Sequence, residues 1–74
     1  MLLSNLNKNI DAIITSVNSN EELKQRFYSF GLIKGTPVMI EKISPTNDTI
    51  ALLVDDTSIA LRLDEAKLIE VEIV

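Results

Sequence analysis

Thr49-Ile50-Ala51-Leu52-Leu53-Val54-Asp55-Asp56-Thr57-Ser58-Ile59-Ala60-Leu61-Arg62-Leu63 is the stretch on which the fold of this chain turns. Ile50, Leu52 and Val54 alternate before the Asp55-Asp56 pair, and Ile59, Leu61 and Leu63 alternate after it. Successive strand side chains point to opposite faces, so each half carries one apolar face. Two residues between the halves is the spacing of a tight hairpin. The stretch predicts strands over 49–54 and 57–63.

Working outward, the same period continues on both sides. Downstream, Ile69, Val71 and Ile73 alternate with Glu70 and Glu72, the pattern of a half-buried strand, and Asp64 is placed to cap a single helical turn through Lys67. Upstream, Ser44-Pro45-Thr46-Asn47-Asp48 has loop composition. Before it, 37–43 reads as a strand with Val38 and Ile40 on one face and Pro37 at its first position, where a missing donor matters least. The β-branched run 10–17 supplies a first strand. Between 20 and 30 the period changes to that of a helix: Leu23, Phe27 and Phe30 form one apolar stripe, and Gly31 stands where a left-handed C-terminal cap belongs. Ser19 and Glu22 have the spacing of a capping box. Five short strands and one short helix predict a mainly β fold, a small closed or partly closed barrel in a single domain over 1–74, with the helix plugging one side or end.

Composition narrows the function classes. The chain has 74 residues, 46% of them apolar, with only two Gly and two Pro, a profile of one folded domain. It contains no Cys and no His, so disulfides, thiolate metal sites and the commonest general base are excluded. Seven basic against eleven acidic residues give a net charge of −4, which disfavours phosphate-driven nucleic-acid binding. Apolar runs such as Ile50–Val54 fall far short of the ~20 residues that span a bilayer, and Met1–Asn5 lacks the features of a signal peptide. The expected location is cytoplasmic. Nothing pairs a nucleophile with a base and no Gly-rich phosphate loop is present, so no enzyme activity and no cofactor are expected.

Arg26-Phe27-Tyr28-Ser29-Phe30-Gly31-Leu32-Ile33-Lys34-Gly35-Thr36-Pro37-Val38 resembles the R-L-x-x-L-G-L-x-x-G-x-x-V signature of FeoA proteins. Ser44-Pro45 is similar to that family's small-residue-Pro loop. Ile59-Ala60-Leu61-Arg62, Glu65-Ala66, Ile69 and Val71 resemble its I-A-L-R-x-x-E-A-x-x-I-x-V ending. Two departures stand out: Asn9 occupies a place where many members have Gly before the first strand, and Phe27 replaces the usual Leu. The resemblance implies an SH3-like barrel in which Arg26, Gly31, Gly35, Pro45, Leu61, Arg62, Glu65 and Ala66 are structural. It also implies an accessory role in ferrous iron uptake, with the membrane GTPase transporter FeoB as partner and a peripheral position at the inner face of the membrane. The alternative is an SH3-like metal-responsive regulatory module acting with a separate repressor, since the same module forms the C-terminal domain of some metal-dependent repressors.

The candidate site residues divide by chemistry. Arg62 in an apolar strand could reach a phosphate or a partner carboxylate, against an ordinary outward position paired with Glu65, Glu70 or another acid. Asp55, Asp56, Asp64 and Glu65 offer oxygen ligands, but acids at a hairpin tip and a helix start are turn and cap chemistry, and no metal site is expected. Tyr28, Leu32, Ile33, Met39 and Leu53 are hydrophobes beyond what the inward faces need. They are either a partner-binding surface or packing on the second face of a small barrel. Met39, Leu53 and the terminal strand equally suit self-association into a homo-oligomer.

Overall fold

The computed structural model describes all residues 1–74. Strand β1 is Ala12–Val17, helix α1 Glu21–Ser29, β2 Pro37–Ile43, β3 Thr49–Val54, β4 Thr57–Arg62, α2 Leu63–Ala66 and β5 Ile69–Ile73, preceded by a 3-10 turn at Leu3–Asn5. The strands form one antiparallel sheet in the order β4-β3-β2-β1-β5. Between β1 and β2 the ladder narrows to two pairs, Ala12 with Val38 and Ile13 with Pro37. Register shifts at Ile14/Ser16 and Ile40/Lys42 add twist on either side of that neck. The sheet therefore curls over a common core without a β4–β5 ladder, and α2 spans the gap. The expected mainly β barrel is partly closed.

Alternation along the strands puts the core where the sequence pattern placed it. Ile50, Leu52 and Val54 of β3, Leu61 of β4, and Ile69 and Val71 of β5 are all buried. Leu3 and Leu6 join them because the N-terminal segment lies along the outer edge of β5: Val71 N–H donates to Met1 O at 2.8 Å, and Leu2 bridges Glu70. Asn9 has φ 64°, and its N–H donates to Ile40 O at 2.9 Å. The turn before β1 thus keeps a left-handed residue at this position, and Asn tolerates that region better than most side chains.

Several boundaries differ from the sequence expectation, each for a local reason. β1 begins at Ala12 instead of Ile10, because the turn at Asn9 delays pairing with β2. The Ser19/Glu22 capping box does not form; Asn20 is the cap, with its Oδ1 accepting from Leu23 N–H at 2.8 Å. Asn and Ser cap comparably well, so one residue of chain path decides between them. α1 ends in a Schellman motif: Gly31 N–H donates to Tyr28 O and Leu32 N–H to Phe27 O, both at 3.0 Å, with Gly31 at φ 86°. That ending leaves Phe30 outside the regular helix and 38% exposed, so of the predicted stripe only Phe27 is fully buried and Leu23 is half-buried. β4 stops at Arg62 and Leu63 opens α2. Asp64 does not cap that turn; the Glu65 carboxylate reaches back instead to the Arg62 N–H at 3.1 Å.

Candidate docking surface

Glu65 organises one end of the molecule. Besides the Arg62 amide, its carboxylate accepts from Arg26 Nη1 at 3.2 Å, a contact across 39 residues of chain. Arg26 belongs to the last turn of α1, where a cation complements the helix dipole, and its guanidinium lies 5.9 Å from the Phe30 ring centroid. The Glu65 side chain is 14% exposed and that of Arg26 59%, so the pair is half shielded and clips α1 to α2. Arg62 is consequently not paired with Glu65 as expected. It is exposed and no carboxylate lies within ion-pair distance of it. Arg26, Arg62, Asp64, Glu65, Thr49 and Ala60 line an open cleft of about 710 Å³ with both signs of charge and no nucleophile–base pair.

The surplus hydrophobes separate into two places and a correction. Leu32, expected to be partly exposed, is fully buried, because as the residue after Gly31 in the Schellman motif it is folded back toward Phe27. Tyr28 and Ile33, on either side of that motif, are 44% and 46% exposed. The Ile33 carbonyl accepts from Thr36 N–H at 3.1 Å, which puts Ile33 on the turn leading into β2. Met39 and Leu53 sit opposite each other across β2 and β3, half-buried on the outer face, with Ser58 next across the sheet. Ile13, directly opposite Pro37, is exposed as well. It was not among the sequence candidates, although the parity of Ala12 and Ile14 in a strand points Ile13 outward.

The acids are spread out. Asp55 and Asp56 are exposed at the hairpin tip, with Asp55 at φ 57°, while Asp64 pairs with Lys67 at 3.6 Å and Glu65 with Arg26. No three carboxylates gather around a common point. Asp48 closes the loop after β2: its Oδ1 accepts from Ser44 Oγ at 2.8 Å, and Ser44 Oγ accepts from the Asp48 and Thr49 N–H groups. Hydrogen bonds from the Ser44 and then the Thr46 hydroxyl hold the Asp48 carboxyl below its ordinary 3.8. Gly35, at φ 93°, donates to Ile14 O at 2.7 Å, and Pro45 is exposed beside Ser44 in that loop.

A curled five-stranded sheet with a helix between its first two strands, and an exterior of dispersed charge and apolar spots, defines the class of small SH3-like barrel modules. The chain belongs to the FeoA domain family, whose model matches residues 1–73. Among known proteins it is 40% identical, over the full length of both chains, to a Campylobacter jejuni protein provisionally named Fe(2+) transport protein A. Its structure is similar to that of a FeoA protein from Chlorobium tepidum, with a TM-score of 0.93 at 29% identity over 99% of this chain and 70% of that one. It is also similar to a Stenotrophomonas maltophilia FeoA complexed with zinc and described as a prokaryotic SH3 domain protein. That match has a TM-score of 0.83 at 30% identity over 97% and 89% of the two chains.

Proposed function

We propose that this chain is a non-enzymatic accessory protein of ferrous iron uptake that docks on the cytosolic part of a FeoB-like membrane GTPase transporter. The observation that carries this reading is the relationship, end to end, with the Campylobacter jejuni Fe(2+) transport protein A. Two features of the molecule support it. Its charged side chains are dispersed over the surface, some in pairs such as Arg26–Glu65 and Asp64–Lys67 and others, like Asp56 and Arg62, unpaired, with no constellation suited to catalysis. Its exposed apolar residues Tyr28 and Ile33 flank a helix end tied down by the Gly31 cap and the Arg26–Glu65 clip, a suitable anchor for a protein contact. No helix is long and apolar enough to cross a membrane, so membrane association would run through the partner.

Titration of the chain against the cognate transporter's cytosolic region tests the reading. Binding should be saturable, and Tyr28→Ala combined with Ile33→Ser should weaken it by roughly tenfold or more, because truncating a buried anchor typically costs 2 kcal/mol or above, about thirtyfold. Absence of binding at high micromolar concentration sinks the proposal. Binding to a metal-dependent repressor instead would favour the regulatory alternative.

A further inference from the structure

The two edges of the sheet are treated differently. β5 is covered along its outer side by Met1 and Leu2, whereas β4 pairs with β3 alone. The phase of the hydrogen bonds is fixed at both ends of β3: Asp55 N–H donates to Pro37 O on the β2 side, and Leu63 N–H donates to Asp48 O on the β4 side. Antiparallel ladders alternate. Thr57, Ile59 and Leu61 therefore turn their backbone groups to β3, while Ser58 and Ala60 turn theirs away from the sheet. Neither amide has a partner elsewhere in the fold. Both residues are exposed and small, so another strand can approach.

Charge marks the two ends of this open edge with opposite sign. Asp56 precedes β4 and Arg62 ends it; both are exposed and neither is ion-paired. An edge with acid at one end and base at the other is complementary to itself when turned through a two-fold axis. We propose that the β4 edge is a self-association site, at which two copies of this chain pair β4 to β4, antiparallel, about an axis at Ile59. In that register Ser58 of each copy exchanges hydrogen bonds with Ala60 of the other, and each Arg62 stands opposite the other copy's Asp56. A shift of one residue is forbidden, since it sets outward groups against inward ones. A shift by one further hydrogen-bonded pair, to an axis at Ala60, carries Asp56 beyond the end of the other β4 toward Asp64 of α2, which adds repulsion, and moves Arg62 from Asp56 to Ser58, whose hydroxyl donates to the Glu41 carboxylate at 2.8 Å. The opposite shift, to an axis at Ser58, carries Arg62 past the hairpin tip at Asp55-Asp56 and sets Asp56 against Ala60, which also loses both attractions. Both Arg62–Asp56 pairs are made only in the register centred on Ile59. A contact made by one six-residue strand per copy lies below the roughly 1,200 Å² of a standard interface, so the dimer exchanges with monomer as concentration changes.

Charge reversal tests this without altering the core. Arg62→Asp alone and Asp56→Arg alone each create two like-charge pairs across the axis and should weaken self-association by roughly tenfold or more. Mixed in equal amounts, the two variants regain both attractions and should form a heterodimer as tight as the native dimer, which also proves that each is folded. Sedimentation velocity from low micromolar to near-millimolar concentration reads the masses. Amide hydrogen exchange on the unmodified chain gives an independent reading: Ser58 and Ala60 should gain protection as concentration rises. The proposal is overturned by an unmodified chain that stays monomeric throughout the range, by a dimer indifferent to both reversals, or by folded variants that do not rescue one another. Protection of Ser58 and Ala60 that appears only with a different protein also overturns it.

Discussion

Replacing Glu65 separates the two contacts of its carboxylate. Glu65→Gln keeps an oxygen for the Arg62 amide but removes the charge facing Arg26; Glu65→Ala removes both. The ion pair has one well-exposed partner, at 59%, so its worth belongs near the lower end of the surface range, about 0.5 kcal/mol. The helix-end hydrogen bond is worth about 1 kcal/mol more, by analogy with cap substitutions. Glu65→Gln should then cost about 0.5 kcal/mol and Glu65→Ala about 1.5, the latter lowering the midpoint of thermal unfolding by about 6–12 °C for a domain of this size. Urea unfolding followed by circular dichroism measures both, and urea is the right denaturant because it leaves the pair unscreened. A double-mutant cycle with Arg26→Ala isolates the clip, with an expected coupling of about 0.5 kcal/mol at low ionic strength that shrinks in about 1 M salt. Equal losses for Gln and Ala, or zero coupling at low salt, would refute the two-contact account of Glu65.

Phe27→Ala should be the costliest single truncation in α1, about 3–5 kcal/mol, because Phe27 is the helix's one fully buried side chain; loss of near-native stability in urea checks it. Gly31→Ala should cost about 1–2 kcal/mol from the backbone alone, since φ is 86° and the added Cβ would meet Val54 Cγ1 at an ordinary 3.6 Å. Gly31→Asn should lose less in the same assay. Because the folded Asp48 carboxyl lies below its ordinary 3.8, its unfolded form binds protons first as pH drops. Its stabilising effect is complete above that value and fades as pH falls through the folded pKa. Asp48→Asn should therefore flatten the acid limb of a stability profile below about pH 4 and leave its slope near neutrality unchanged.

Local rules make much of this protein legible in its sequence. Period-two alternation around Asp55-Asp56 gave the β3–β4 hairpin, the same alternation gave β5, and Gly31 announced the helix end, because these are decided by neighbours within a few residues. The FeoA-like run from Arg26 to Val38 could be read in the same way. Tertiary structure alone decided the partners of side chains that local pattern leaves free. Glu65 went to Arg26, 39 residues away, leaving Arg62 unpaired. Only the sheet order shows that β5 is covered by the N-terminal segment while β4 remains open. Alternation tells which face of a strand is apolar, but which edge is left without a neighbour depends on how distant segments close around the core.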